Sequence, residues 1–142
     1  MKSDFSLGPQ VKKSLGERGV VLVYLYGSEA LGRSNRLSDV DVGIVFRDPA
    51  PLRDRDRRWD LWSELLKLLE PEIIPDGSRE IDLVFLQTAS SMLQFEAINY
   101  GRLLFTADPV FRADYEASVI REYLDIRPLV EVHYQAALDR MG

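Results

Sequence analysis

The chain has 142 residues, 46% apolar and 29% charged, with no cysteine and one histidine, His133. That is enough for one domain with a real core, and it excludes disulfides, a thiol nucleophile, cysteine-ligated zinc and a multi-histidine metal site. A formal net charge of −5 disfavours nucleic acid as a partner, because non-specific binding relies on basic surface.

The N-terminal MKSDFSLGPQ lacks the apolar core of a signal peptide. No apolar run reaches the ~20 residues that span a bilayer. A cytoplasmic protein without a membrane partner is expected. Residues 7–18 read as a first helix: Pro9 suits the first helical position, Val11 and Leu15 are four apart, and Gly16 and Gly19 mark the end. Val20 to Tyr26 is an apolar run with little alternation, so it predicts a strand covered on both faces.

Gly27-Ser28 follows at once. Without a Cβ, Gly27 lets a ligand approach the backbone. A helix opening near Ser28 offers unpaired N–H groups that suit a phosphate. Residues 31–38 form a loop holding Arg33 and Arg36. These are either phosphate ligands, through the planar guanidinium fork, or solvated loop charges. Ser38 either donates to a phosphate or caps the turn. Asp39 and Asp41 then open an extended segment that runs to Phe46. Two residues apart on a strand, they point to one face, and Val40, Val42 and Ile44 point to the other. Adjacent carboxylates repel unless a cation joins them, and hard oxygen ligands suit Mg²⁺.

A proline-containing break, residues 47–54, precedes a helix predicted from near Pro51 or Leu52 to Leu69. Trp59, Trp62, Leu65, Leu66 and Leu69 keep the rhythm of a buried stripe, which assigns both tryptophans to the core. The mixed charges of residues 53–60 read as a solvated face. Residues 71–78 are expected to be a loop, with Asp76-Gly77 as its turn signal. Residues 79–86, REIDLVFL, alternate as a strand. Asp82 is costly there without a partner, and Glu80 falls on the same face.

Residues 88–100 read as a helix with Thr88 as its N-cap, Met92, Phe95, Ala97 and Ile98 on its core face, and Gly101 as its stop. Residues 102–106 form a short edge strand. Asp108 and Pro109 start a final helix as cap and first helical residue. Its buried side is expected to be Phe111, Tyr115, Val119, Ile120, Tyr123 and Leu124. Pro128 should kink or break it, with residues 129–141 again helical. One domain, 1–142, is expected, with 108–142 as a C-terminal helical extension.

An apolar strand, Gly27-Ser28, ten intervening residues, and then Asp39-Val40-Asp41 opening a second apolar strand resembles the signature of the DNA polymerase β superfamily of nucleotidyltransferases. The specific motifs lie in residues 27–41 and at Asp82. The resemblance implies an α/β (α+β) polymerase β-like fold, a small mixed sheet packed with helices. It implies a third carboxylate from a later strand beside the Asp-x-Asp strand, and Asp82 matches. Asp39, Asp41 and Asp82 are then the catalytic residues and the ligands of two Mg²⁺ ions, which stabilise attacking and leaving oxygens. Gly27, Ser28, Arg33, Arg36 and Ser38 are the nucleotide-binding residues.

The short chain and the order of its elements look like the minimal nucleotidyltransferases, the MNT family, whose members pair with HEPN-domain ribonuclease toxins. There the resemblance implies an antitoxin that moves AMP from ATP to a tyrosine of the toxin. Two alternatives stand beside it: a small-molecule nucleotidyltransferase of the aminoglycoside-modifying kind, whose acceptor pocket a dimer or partner would complete, and an antitoxin that masks its toxin sterically. A homo-oligomer is compatible with each. Arg127, His133 and Tyr134 approximate the spacing of the HEPN ribonuclease signature. They sit in a tail behind a proline, and a toxin site there is rejected.

Overall fold

The computed structural model of the chain describes residues 6–27 and 39–141. Its strands are β1 (Val20–Tyr26), β2 (Val40–Phe46), β3 (Ile81–Phe85) and β4 (Arg102–Thr106). They form one mixed sheet in the order β3-β2-β1-β4. β1 runs antiparallel to both β2 and β4, and β2 runs parallel to β3. The expected α/β class and the small mixed sheet are both present. Ser28, Arg33, Arg36 and Ser38, with the helix opening after Gly27, lie outside the described residues.

Helices cover both faces of the sheet. α1 (Pro9–Glu17) and α2 (Arg55–Ile73) pack on one side, where Leu15, Leu61, Leu65, Leu69 and Ile73 meet Val23, Val40, Val42, Ile44, Ile81, Leu83 and Phe85. α3 (Ser91–Tyr100) and α4 (Pro109–Met141) lie on the other, where Leu93, Ala97, Phe111 and Tyr115 meet Val21, Leu22, Tyr24, Tyr26 and Val45. Every residue of β1 is buried, as its unalternating run predicts for a central strand.

Several helix boundaries differ from the sequence reading. α2 begins at Arg55, after a 3-10 turn over Ala50–Arg53, because the Asp54 carboxylate accepts from the amides of Asp56 (3.0 Å) and Arg57 (3.2 Å). It then runs through Pro71 to Ile73. Proline costs a helix one internal hydrogen bond, and tertiary contacts offset that loss: Ile73 and Ile74 are buried, and the Glu72 carboxylate accepts from the Gly8 amide at 2.7 Å.

α3 begins at Ser91, with Ser90 as its cap accepting from the Leu93 amide; Thr88 closes a 3-10 turn and donates to the Phe85 carbonyl instead. α4 continues through Pro128 as one 33-residue helix. Pro128 is exposed, so the carbonyl that loses its partner can turn to water. Asp108 caps α4 as expected, accepting from the Val110 and Phe111 amides. Of the six residues expected on its buried side, Val119 is buried, whereas Ile120 and Leu124 are exposed.

The tryptophans are the clearest correction. Trp59 is 63% exposed, and Trp62 is only partly buried. The apolar stripe of α2 that meets the sheet is Leu61, Leu65, Leu69 and Ile73, which places Trp59 at the helix margin. Trp62 instead donates its indole N–H to the Leu83 carbonyl at 3.1 Å, on edge strand β3.

Candidate active site

Strand register assembles the site. Tyr26, the last residue of β1, pairs with Asp41 of β2, and Asp41 pairs with Asp82 of β3. Cross-strand partners project to the same face, so the three side chains stand in a row on the α3–α4 side. The row lies at the end of the sheet where β1 finishes and β2 and β3 begin. Asp39 is exposed and immediately precedes β2. Gly27 terminates β1 with φ +73°, the left-handed region that side chains rarely adopt. A Cβ on Gly27 would collide with the Asp41 carboxylate.

The electrostatics of this row are unbalanced. The Asp41 carboxyl is pushed up to about 6, first by burial, then by the charges of Asp82, Asp39 and Glu96, and by a hydrogen bond with Asp82. A hydrogen bond between two carboxyl groups requires a proton on one of them, and a divalent cation between them meets the same need. The Tyr26 hydroxyl is held firmly protonated by burial and by the charges of Asp41, Asp82 and Glu96.

The donor set therefore fits Mg²⁺: two carboxylates in register, a third just before the strand, and an excess of negative charge that a hard cation would relieve. Among the described residues no three His, Cys, Asp or Glu side chains are gathered closely enough to hold an ion by themselves. The tight unit is the pair Asp41–Asp82, with Asp39 at its border.

Two neighbours of the site escaped the sequence reading. Tyr26 reads as one more apolar strand residue; its place directly before Gly27 was the only available signal. Glu96 sits on α3 with no motif around it, and only packing of α3 brings its charge near Asp41 and Tyr26. The same helical layer is tied down by polar contacts. The Tyr24 hydroxyl donates to Glu116 Oε2 at 2.6 Å, Arg112 pairs with Glu116 at 2.9 Å, and the Tyr115 hydroxyl donates to Gln94 Oε1 at 2.8 Å. Arg127, His133 and Tyr134 are all exposed on α4.

A family model described as polymerase beta, nucleotidyltransferase, matches residues 10–110. A curated relative, protein adenylyltransferase MntA of Shewanella oneidensis (strain MR-1), is 31% identical over 84 residues, covering 59% of this chain and 52% of MntA. The chain thus spans about half the length of the curated relative it matches. A crystal structure of a toxin–antitoxin with AMP-PNP aligns with TM-score 0.62 at 24% identity, over 95% of this chain and 98% of the other. A tri-AMPylated Shewanella oneidensis HEPN toxin in complex with MNT antitoxin aligns with TM-score 0.55 at 20% identity, over 93% and 96% of the two chains. At these identities the structural likeness concerns the fold.

Proposed function

We propose an activity from one premise: the chain belongs to the polymerase beta nucleotidyltransferase family. The activity is transfer of AMP from ATP to a tyrosine of a HEPN-domain toxin, which silences the toxin. Its identity to MntA, named a protein adenylyltransferase, supports this reading. So do two fold neighbours, one solved with AMP-PNP and one with a tri-AMPylated HEPN toxin. The observation that carries it is the register that sets Asp41 beside Asp82, next to a glycine turn with no room for a side chain.

The chain's own groups divide the work. The Gly27 turn lets the nucleotide's phosphates approach the backbone, and Ser28, Arg33, Arg36 and Ser38 are the proposed phosphate ligands. Asp39, Asp41 and Asp82 are the proposed holders of two Mg²⁺ ions. When bound, the metal offsets phosphate charge and lowers the pKa of the attacking hydroxyl. The acceptor oxygen forms a bond to the α-phosphorus, the bond to the β-phosphate oxygen breaks, and pyrophosphate leaves. Asp82, exposed on its strand, is the proposed acceptor of the hydroxyl proton. Tyr26 stays protonated beside the pair, so it does not add a further negative charge.

The test is incubation of the chain with labelled ATP, Mg²⁺ and a HEPN-domain toxin protein from the same source. Label on a tyrosine of that protein, absent with the Asp41→Asn variant, is the expected result. A folded, bound and unlabelled partner would overturn the reading. Toxin neutralisation that persists in a folded Asp39→Ala/Asp41→Ala/Asp82→Ala variant would make the antitoxin steric.

A further inference from the structure

The margin of α2 carries a second recognition feature on the sheet face opposite the carboxylates. Arg55, Arg58, Trp59, Trp62, Leu83 and Phe85 line a groove of about 310 Å³. The two indoles stack, with centroids 5.3 Å apart and 23° between planes. The Trp62 N–H is anchored to the Leu83 carbonyl, which orders the groove floor and occupies an acceptor on the edge strand. Trp59 is left 63% exposed. Neither Arg55 nor Arg58 is paired with a carboxylate among the described residues.

A preordered apolar floor, an exposed indole and two guanidinium groups with no carboxylate partner among the described residues combine the residue types enriched at interface hot spots. In a chain of net charge −5, this is a local positive site suited to an acidic partner. A triphosphate suits it poorly. The Asp56 and Arg57 amides at the start of α2, which could otherwise donate to phosphate oxygens, are taken by the Asp54 carboxylate.

Resting on the proposed function, we propose that this groove docks the protein acceptor, through a segment that presents an apolar side chain flanked by carboxylates. Leu83 in the groove directly follows Asp82 in the chain, on the opposite face of the same edge strand. A partner gripping that edge is therefore held within reach of the transfer site. Strand addition at Leu83 is disfavoured, because its carbonyl already accepts from Trp62.

The chain has two tryptophans, both in the groove, so 5-fluorotryptophan labelling gives two ¹⁹F signals that report on it alone. Adding the HEPN-domain protein of the transfer assay should shift or broaden the Trp59 signal. The Arg55→Glu/Arg58→Glu variant should bind that protein at least tenfold more weakly at unchanged Tm, and Arg55→Lys/Arg58→Lys should retain most of the affinity. A partner that is bound and labelled with the Trp59 signal unmoved, or bound equally well by the glutamate variant, overturns this inference and leaves the proposed function standing. A Trp59 signal that moves with Mg·ATP and not with the protein makes the groove a nucleotide subsite and also overturns it. If the HEPN-domain protein does not bind at all, both readings fall.

Discussion

The Asp41 carboxylate occupies the space that a Cβ on Gly27 would need. The glycine's left-handed φ of +73° and the acid's position are thus one geometric unit. The turn that leaves β1 is free of a side chain because the next strand delivers its carboxylate there.

Replacing Gly27 with Ala imposes both costs. The left-handed conformation and the displaced carboxylate should together lower stability by about 1–2 kcal/mol. Nucleotide transfer should fall much further, because Asp41 must move. Urea unfolding read beside a labelled-AMP assay checks this; loss of activity no greater than the loss of folded protein would count against the coupling.

The pH dependence follows from Asp41. Its carboxyl titrates near 6 in the folded chain against an ordinary 3.8, so the folded state holds the proton more tightly than the unfolded state. Its contribution to stability is full below 3.8 and is lost as pH rises through about 6. Metal-free protein should therefore lose stability across that window relative to Asp41→Asn, which lacks the group. Urea midpoints of both proteins from pH 4 to 8 in chelator provide the comparison, and parallel curves would refute the assignment.

Mg²⁺ should remove that penalty. At a hundredfold excess over its dissociation constant, a ligand specific to the folded state adds about 2.7 kcal/mol, a rise of several degrees in Tm. The wild-type chain should show the rise, and the Asp41→Asn/Asp82→Asn variant should not. Equal shifts in a thermal melt would place the ion elsewhere.

Tyr24 tests the helical layer that carries Glu96. Tyr24→Phe removes the hydroxyl that donates to Glu116 at 2.6 Å and leaves a charged acceptor short of one partner. A loss of about 1–2 kcal/mol is expected from urea unfolding. The Arg112–Glu116 pair at 2.9 Å remains to limit the damage. No measurable change would mean that the bond adds nothing.

The far end of α4 should matter little to folding. Leu129, Val132, Tyr134 and Met141 are 65–82% exposed, so ending the chain after Arg127 removes little buried apolar surface. Tm should change by less than about 2 °C, since surface changes are usually worth within ~0.5 kcal/mol. A large drop in a thermal melt would show that this segment is covered in solution.

The sequence alone determined the elements whose signal is local. Val20–Tyr26 is apolar without alternation, so it had to be a buried strand. The alternation around Asp41 and around Asp82 set those two side chains on the face opposite Val40, Val42, Ile81 and Leu83. Gly27, Pro9, Asp108 and Pro109 announced turns and helix ends through backbone chemistry that needs no neighbours.

What only the tertiary structure decided depends on contacts between distant segments. Pro71 stays helical because Glu72, Ile73 and Ile74 are held by partners elsewhere in the chain, and Trp59 is exposed because Leu61, not the tryptophan, faces the sheet. The pairing of Asp41 with Asp82, and the approach of Glu96, come from strand register and helix packing across some forty or more residues of sequence. Backbone propensity and side-chain alternation act over a few residues and are written in the chain. Register, burial and charge proximity are properties of the packed sheet, and they arise only when the segments meet.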